Sequence, residues 1–285
     1  MNQVFFTVFT PTYNRAHTIH RAFDSLRAQT FRDFEWVVVD DGSTDNVAEL
    51  VAAWAKIADF PIRFFRQNHS GKHIAHNWAI REARGQFFLV LDSDDACSAN
   101  ALERIAYHWE TIPIDERQFF CGVGALCADQ HGAIVGKQYP AEPFDTTQRE
   151  RAYVYRVSGE KWQATLTEIM RRHPFPEVRW TNFVPEGVVW YQIAQTYKER
   201  CVNEVLRIYY RNDRGTGQTF SSHRDLWHTA PGRLYYYLWL FKNDFKFITF
   251  SPEPFIKAAV MLPIVAALTA TRRCLESLRA MKWRP

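Results

Sequence analysis

The chain has 285 residues, of which 47% are hydrophobic and 23% are charged, and its formal net charge is +4. This length and balance are typical of a folded globular protein with one large domain or two small ones. The positive charge is too weak and too dispersed for a nucleic-acid partner, which we exclude, but it suits anionic small molecules or an acidic membrane surface.

The cysteines and the N-terminus bear on the cellular compartment. The five cysteines are scattered and odd in number. They therefore argue against a disulfide framework and favour a reducing cytoplasm. The first 15 residues, MNQVFFTVFTPTYNR, lack a basic segment and are interrupted by Pro11, so we expect no signal peptide.

The first hundred residues alternate between predicted strands and predicted helices. Apolar runs predict buried strands at 4–10, 35–43, 62–67 and 86–91. Helical spacing predicts helices at 17–29, 44–57 and 72–83, the second with a Thr/Asp cap. The inner side of the third is predicted to hold Ile74, Asn77, Trp78 and Ile80. This alternation predicts a parallel sheet covered by helices on both faces, with ligands at the carboxyl ends of its strands.

The segment DSDD at 92–95 places three carboxylates at one of these strand ends. Magnesium and manganese prefer carboxylate and phosphate oxygens, and magnesium commonly takes only one or two protein carboxylates. The segment is therefore a candidate metal site that would neutralise a diphosphate. The alternative is that these residues only cap a helix that begins near Ala99.

Three further segments carry polar groups that fit a nucleotide. Asp40 and Asp41 end the second strand and could accept hydrogen bonds from a base or a ribose hydroxyl, although an ordinary turn is the alternative. Tyr13, in PTYNR, could stack on a base. Lys72 follows a glycine and suits a phosphate or a base, although a solvated lysine is equally ordinary.

Together, the segments TVFTPTYNR, WVVVDDGSTD and NHSGKHIAHNWAIREARGQFFLVLDSDD resemble glycosyltransferase family 2. The resemblance is dense from residue 4 to about 110 and looser to about 212. It implies an α/β fold of the GT-A (Rossmann-like) type, with a mostly parallel central sheet flanked by helices. It also implies a nucleotide-sugar donor, expected to be a UDP-sugar, with Mn²⁺ or Mg²⁺ as cofactor and inverting transfer to a hydroxyl.

Carried over by position, the resemblance implies a donor site and a metal site. The donor-binding residues would be Pro11, Tyr13, Asn14, Arg15, Asp40, Asp41, Lys72, Asp92, Ser93, Arg211 and Arg214. The metal ligands would be Asp92 and Asp94, with Asp94 the stronger candidate. In this family a basic loop such as that of Arg211 and Arg214 closes over the donor diphosphate; a solvated surface loop is the alternative.

An inverting transfer also needs a general base on the acceptor side. The family supplies it from a Glu-Asp pair that opens a helix, and the matching segment here, RWTNFVPEGVVWYQIAQTY, has Glu186-Gly187 instead. The second acid, often the base, is absent, so Glu186 becomes the catalytic candidate. Its alternative role is a favourable charge at a helix N-terminus, and Glu177 is a weaker rival base.

The chain after residue 110 divides into two predicted regions. Residues 111–221 would complete the same domain and bind the acceptor, after the nucleotide-sugar-binding half at 1–110. Residues 222–285 would form a C-terminal helical, aromatic extension. There the uncharged run 258–270 is short for a membrane span and contains Pro263, and five cations (Arg272, Arg273, Arg279, Lys282, Arg284) follow it against Glu276. Such a segment fits a helix on an anionic membrane surface, or a helical pair packed on the domain or a second subunit.

These features predict a metal-dependent inverting glycosyltransferase that acts on a glycan or lipid-linked saccharide acceptor in bacterial surface polysaccharide synthesis. It would be cytoplasmic and peripheral on the inner face of the inner membrane. Two other classes remain open. A sugar-phosphate nucleotidyltransferase would use a similar sheet and metal, and usually has a Gly-rich basic N-terminal loop that PTYNRAH does not provide. A non-catalytic nucleotide- or sugar-binding module would not need Glu186 or the carboxylates.

Overall fold

The computed structural model describes residues 4–210 and 223–282 of the chain. The strands in these ranges are β1 Val4–Thr12, β2 Phe34–Asp40, β3 Ile62–Arg66, β4 Gly85–Val90, β5 Ala96–Cys97, β6 Phe120–Asp129, β7 Phe144–Thr146, β8 Lys161–Leu166 and β9 Lys198–Tyr209. The α-helices are α1 His20–Arg27, α2 Val47–Trp54, α3 Lys72–Glu82, α4 Ala101–Glu110, α5 Gln148–Tyr153, α6 Thr167–Arg172, α7 Gly187–Ile193, α8 His223–Asp244 and α9 Glu253–Lys282.

The strands form one mixed sheet in the order β3-β2-β1-β4-β8-β6-β9-β5, with β7 paired to β9. The first four strands are parallel to one another, as predicted, and β8 then joins β4 in the antiparallel direction. Because β1 lies between β2 and β4, the carboxyl ends of these three strands meet at one edge. That edge carries the polar segments that the sequence singles out.

β1 is longer than the sequence predicts. Apolar character ends at Thr10, and Pro11 reads as a break, but the strand continues to Thr12, with Pro11 opposite Val39 of β2. Proline removes only one backbone donor, which a strand tolerates near its end. The backbone N–H of Asp41 still donates to the carbonyl of Thr12 at 2.9 Å.

The inner side of α3 also differs from the prediction. Asn77 and Ile80 are buried as expected, whereas Ile74 and Trp78 are only half-buried. His76 is buried together with Asn77 and Ile80, because α3 is covered both by the sheet and by α6.

The start of α2 has an aspartate cap, as predicted, whereas the start of α4 has none from the DSDD segment. α2 begins at Val47, whose N–H donates to Asp45 Oδ1 at 3.4 Å, and Asp45 Oδ2 also accepts from the N–H of Ala16 at 2.8 Å. α4 begins at Ala101 after Asn100. The carboxylates of the DSDD segment are therefore not its cap.

Helices cover both faces of the sheet, and the C-terminal helices pack beside it. α8 and α9 contact each other and enclose a cluster that includes Tyr153, Tyr237 and Phe255. The Tyr153 hydroxyl donates to the Asp244 carboxylate at 3.1 Å, which ties the end of α8 to the domain.

α9 is longer than the uncharged run suggests, because the helix continues through Pro263. By length and composition its segment Glu253–Ser277 could cross a membrane, and most of that segment lies outside the protein interior. This property alone is weak evidence of a span.

Candidate active site

One cavity of about 500 Å³ opens at the edge of the sheet where β4 ends. Residues from α3, α5, α7, β6, β8 and β9 line it, together with the segment that follows β4. Its lining includes Lys72, His76, Asp92, Gly124, Gln148, Arg151, Trp162, Gln163, Glu186, Trp190, Glu199 and Arg207. Three sequence-predicted residues, Lys72, Asp92 and Glu186, thus share one cavity.

Asp92 is held between two cations. Lys72 Nζ lies 2.8 Å from Asp92 Oδ1, and Arg207 Nη2 lies 2.6 Å from Asp92 Oδ2. Burial alone would raise the pKa of Asp92, but the two cations hold it well below its usual range. Asp92 is therefore ionised, and its charge is already balanced by protein groups.

Arg207 is a residue that the sequence analysis missed. It lies within β9, where it also pairs with Asp95, whose Oδ1 accepts from the N–H of Tyr210 at 3.0 Å. Burial raises the pKa of Asp95 to about 6 despite the pairing. A cation inside the otherwise apolar run VLRIYY is the signal that could have identified Arg207.

Asp94 has a more open environment than its neighbours. Its carboxylate is partly exposed and lies 3.5 Å from Arg15 Nη1, and its backbone carbonyl accepts from Arg21 Nη1 at 3.1 Å. Within 4–210 and 223–282, no group of three His, Cys, Asp or Glu residues could hold a metal by itself. A cation bound by one carboxylate and by donor phosphate oxygens does fit Asp94, because magnesium usually takes one or two carboxylates.

Asp41 organises the loop that precedes α3. Its carboxylate accepts from the backbone N–H of Ser70 at 2.7 Å and of Gly71 at 2.9 Å, and from Gln67 Nε2 at 2.7 Å. Gly71 has φ +99°, and a Cβ there would lie 1.9 Å from the Asn182 carbonyl oxygen. This approach brings the loop against the segment that leads to Glu186.

The other nucleotide candidates surround an aromatic pair. The ring of Tyr13 stacks on His69 with centroids 4.2 Å apart, and His69 is a residue that the sequence analysis did not single out. Asn14 has φ +52°, and its side chain accepts from the N–H of Thr44 at 2.8 Å. Asp40 is fully buried and accepts from the N–H of Ser43 at 2.9 Å.

Four further donor-site candidates are Ser93, Pro11, Arg211 and Arg214. Ser93 is buried beside Asp92, and Pro11 lies within β1. Arg211 and Arg214 fall outside the described residues. Their predicted role at a donor diphosphate therefore stays a prediction.

Glu186 stands at the start of α7, where its side chain makes no capping hydrogen bond. Its Oε1 lies 2.9 Å from Lys72 Nζ, and its side chain is half-exposed. The Lys72 ammonium lowers the pKa of Glu186. Its rival Glu177 lies elsewhere, exposed to solvent, and accepts from Asn77 Nδ2 at 3.3 Å.

His76 is a second residue that the sequence analysis missed. It follows Lys72 by one helical turn, is 2% exposed, and its ring packs edge-on against Trp190 and Phe88. Neither ring nitrogen has a hydrogen-bond partner among the described residues. Burial lowers the pKa of His76 to about 3, so the imidazole is neutral beside the Lys72–Glu186 pair.

Comparison with known proteins yields one family model, "Glycosyl transferase family 2", which matches residues 7–158. An uncharacterized glycosyltransferase of Rickettsia felis is 37% identical over 97 residues, covering 34% of this chain and 16% of the relative. The GalNAc(5)-diNAcBac-PP-undecaprenol β-1,3-glucosyltransferase of Campylobacter jejuni is 25% identical over 209 residues, covering 71% of this chain and 63% of that protein. The chain thus spans a small part of the first relative and under two thirds of the second.

Solved structures share the fold. Residues 1–349 of TarS from S. aureus superpose with a TM-score of 0.59 at 22% identity, covering 84% of this chain and 66% of that one. The mannosyltransferase PcManGT of Pyrobaculum calidifontis, solved with GDP-Man and Mn²⁺, gives 0.56 at 20% identity, covering 99% and 80%. These likenesses confirm the predicted GT-A fold.

Proposed function

The chain belongs to glycosyl transferase family 2, and from this premise we propose that it is a metal-dependent inverting glycosyltransferase. It moves a sugar from a nucleoside-diphosphate donor to a hydroxyl of a glycan or lipid-linked acceptor. The observation that carries the proposal is the position of Lys72, whose Nζ lies 2.8 Å from Asp92 and 2.9 Å from Glu186. It links a strand-end carboxylate to a candidate base inside one cavity.

The donor nucleoside lies against Tyr13, whose ring is 42% exposed beside His69. Arg15 and Lys72 supply positive charge for the diphosphate. Structures of the neighbours named above include TarS with UDP-GlcNAc and PcManGT with GDP-Man. Those ligands support a nucleotide-sugar donor, and we propose a UDP-sugar.

Asp94 would hold a divalent cation, Mn²⁺ or Mg²⁺, with Asp92 beside it. Once bound, such a cation neutralises the charge that develops on the leaving diphosphate. Arg207 keeps Asp92 ionised and fixed in place. The chain would thereby supply the partly exposed Asp94 carboxylate next to a fixed Asp92 just after the carboxyl end of β4.

Glu186 acts as the general base. Its carboxylate accepts the proton of the acceptor hydroxyl while the hydroxyl oxygen bonds to the anomeric carbon of the donor. The bond from that carbon to the diphosphate breaks at the same time, and its electron pair leaves with the nucleoside diphosphate. Because attack and departure occur on opposite faces, the anomeric configuration inverts.

The direct test of the proposed function is a screen of UDP-, GDP- and TDP-sugars for nucleoside diphosphate release, with and without manganese. We expect release from at least one nucleotide sugar and only in the presence of the cation. A chain that consumes a nucleoside triphosphate and a sugar phosphate instead, and releases pyrophosphate, would be a nucleotidyltransferase.

Replacing Lys72 by methionine should change the pH dependence of transfer. The Lys72 ammonium lowers the pKa of Glu186, so its removal raises that pKa and leaves more of the base protonated at low pH. The acidic limb of the pH profile of kcat/KM for the acceptor should therefore move to higher pH. Lys72→Arg, which retains the charge, is the control. An unchanged acidic limb in Lys72→Met would mean that Lys72 does not set the pKa of the catalytic base.

We propose that α9 lies on an anionic membrane surface. Its exposed face carries Ile256, Val260 and Ile264 at one-turn spacing, each at least 44% exposed. Lys257 is exposed next to Ile256, and Arg273 is exposed further along the helix towards its C-terminal end. Apolar side chains between basic residues suit a helix in the headgroup region, and the named acceptor of the Campylobacter relative is linked to undecaprenol. This supports a peripheral position on the cytoplasmic face of the inner membrane.

Replacing Ile256, Val260 and Ile264 together by glutamate should reduce sedimentation with phosphatidylglycerol liposomes by more than about tenfold, because three apolar side chains no longer enter the lipid. The matched control replaces Ile57 and Ile114, which are 66% and 83% exposed elsewhere on the surface, by glutamate. If full-length protein does not sediment with the liposomes at low salt, or the α9 variant sediments like the control, α9 serves only as packing.

A further inference from the structure

The cavity that holds Asp92 and Glu186 has a second polar wall, which the donor and base assignments do not use. β6, β8, β9 and α5 form this wall with Gly124, Gln148, Arg151, Gln163 and Glu199. The side-chain amide of Gln148 donates to that of Gln163. Trp162 and Trp190 add apolar ring surface to the same cavity.

The central pair of this wall is Arg151 and Glu199. Arg151 Nε lies 3.1 Å from Glu199 Oε1, and the Glu199 side chain is only 1% exposed. Neither atom has a hydrogen-bond partner of acceptable geometry in the described part of the chain. The two atoms therefore attract each other as a close ion pair without a well-aligned hydrogen bond, and further hydrogen bonds from a ligand to the same two side chains would stabilise this buried pair.

The charge of the pair restricts the ligand that it can accept. Burial alone would lower the pKa of Arg151, but Glu199 raises it, so the guanidinium is charged and the pair has no net charge. A phosphate only accepts hydrogen bonds, so it would satisfy Arg151 and be repelled by the Glu199 carboxylate. A hydroxyl both donates and accepts, so neighbouring hydroxyls of one sugar can satisfy both members.

Gly124 keeps the space above this pair open. A Cβ at position 124 would lie 3.2 Å from Glu199 Oε2 and 3.4 Å from the Tyr139 hydroxyl. Any larger side chain would therefore occupy the approach to the carboxylate. The half-buried ring of Trp190 suits the C–H face of a sugar ring, as in sites where a few polar groups set orientation among aromatic walls.

We propose that the Arg151–Glu199 wall is the acceptor subsite and that it recognises a neutral, unphosphorylated sugar ring of the acceptor. The inference rests on the proposed function, which places the donor at Asp92 and the base at Glu186. It adds that the acceptor presents a saccharide to this enzyme and that phosphate-bearing polyols are excluded.

The test is a ligand-observed NMR titration with methyl glycosides of common hexoses and N-acetylhexosamines, each paired with its 6-phosphate, with and without UDP and magnesium. At least one neutral glycoside should bind, and its phosphate should bind more weakly. Glu199→Gln should weaken binding of the neutral glycoside by about tenfold or more, the usual loss for a hydrogen bond to a charged group. Gly124→Ala should also weaken it, because the added methyl group would lie 3.2 Å from Glu199 Oε2. Glu204→Gln, on the same strand but paired with Arg104 and His108, should leave binding unchanged.

Nucleoside diphosphate release from the donor without acceptor keeps this inference separate from the proposed function. Circular dichroism spectra and thermal unfolding curves that match the wild type would show that Glu199→Gln and Gly124→Ala are correctly folded. Tighter binding of the phosphorylated glycosides, or unchanged neutral-glycoside affinity in folded Glu199→Gln, would overturn the acceptor assignment even if donor hydrolysis is normal. If the wild-type chain releases no nucleoside diphosphate from any nucleotide sugar, the proposed function itself is wrong.

Discussion

Replacing Glu186 by glutamine should lower sugar transfer by about 10² to 10⁴-fold, the usual contribution of a general base. Glutamine keeps the size of the side chain and most of its hydrogen bonding, but it cannot take the acceptor proton. Donor affinity should change little, because the nucleoside candidates Tyr13 and Asp41 are not among the residues that line the cavity of Glu186. The measurements are steady-state transfer rates and calorimetry of nucleoside diphosphate binding.

Glu177→Gln is the matched control for this variant. Glu177 also follows a proline and lies nine positions earlier, but it lies outside the cavity of Asp92 and Glu186. We expect Glu177→Gln to retain wild-type transfer. If Glu177→Gln loses transfer while Glu186→Gln keeps it, the alignment of Glu186-Gly187 with the family's Glu-Asp pair is incorrect.

Replacing Asp94 by alanine should abolish the metal dependence of donor binding while leaving the fold intact. The Asp94 carboxylate is partly exposed, and its ion-pair partner, Arg15, lies 3.5 Å away. The fold therefore depends little on it, whereas a cation shared with the diphosphate would lose its protein ligand. The measurement is calorimetry of UDP binding with and without manganese. In the wild type, manganese should change the affinity for UDP, whereas in the variant the affinity should be the same with and without manganese.

Asp59→Ala is the control for the metal variant, because Asp59 is an exposed aspartate that pairs with Arg32 at 3.4 Å and precedes the start of β3, away from the carboxyl ends of the strands. It should retain the manganese effect. A persistent manganese effect in Asp94→Ala would show that Asp94 is not the metal ligand, and that Asp92 or the donor alone binds the cation.

The parallel half of the sheet was predictable because each of its strands is marked by a pattern of neighbouring residues in the sequence. Each of the first four strands is a continuous apolar run followed by a polar segment, and the right order of strands and helices follows from that alternation. The exact ends were less predictable. Pro11 reads as a break, yet β1 continues through it because neighbouring backbone groups maintain the pairing.

The partners of the candidate site were not predictable because they depend on contacts between distant segments. Arg207 lies 115 residues from Asp92 and meets it only because β9 returns to the edge of the sheet. The Arg151–Glu199 pair joins α5 to β9 in the same way. Spacing along the chain indicates the carboxylates, but which cation balances each of them is a property of the folded sheet.

The stereochemistry of transfer tests the central proposal most directly. An α-linked nucleotide sugar that is a substrate should be supplied with manganese and a neutral saccharide acceptor, and the anomeric coupling constant of the product should be read by NMR. We expect a β-linked product from the wild-type chain, formed together with nucleoside diphosphate. An α-linked product would contradict direct displacement with Glu186 as the base.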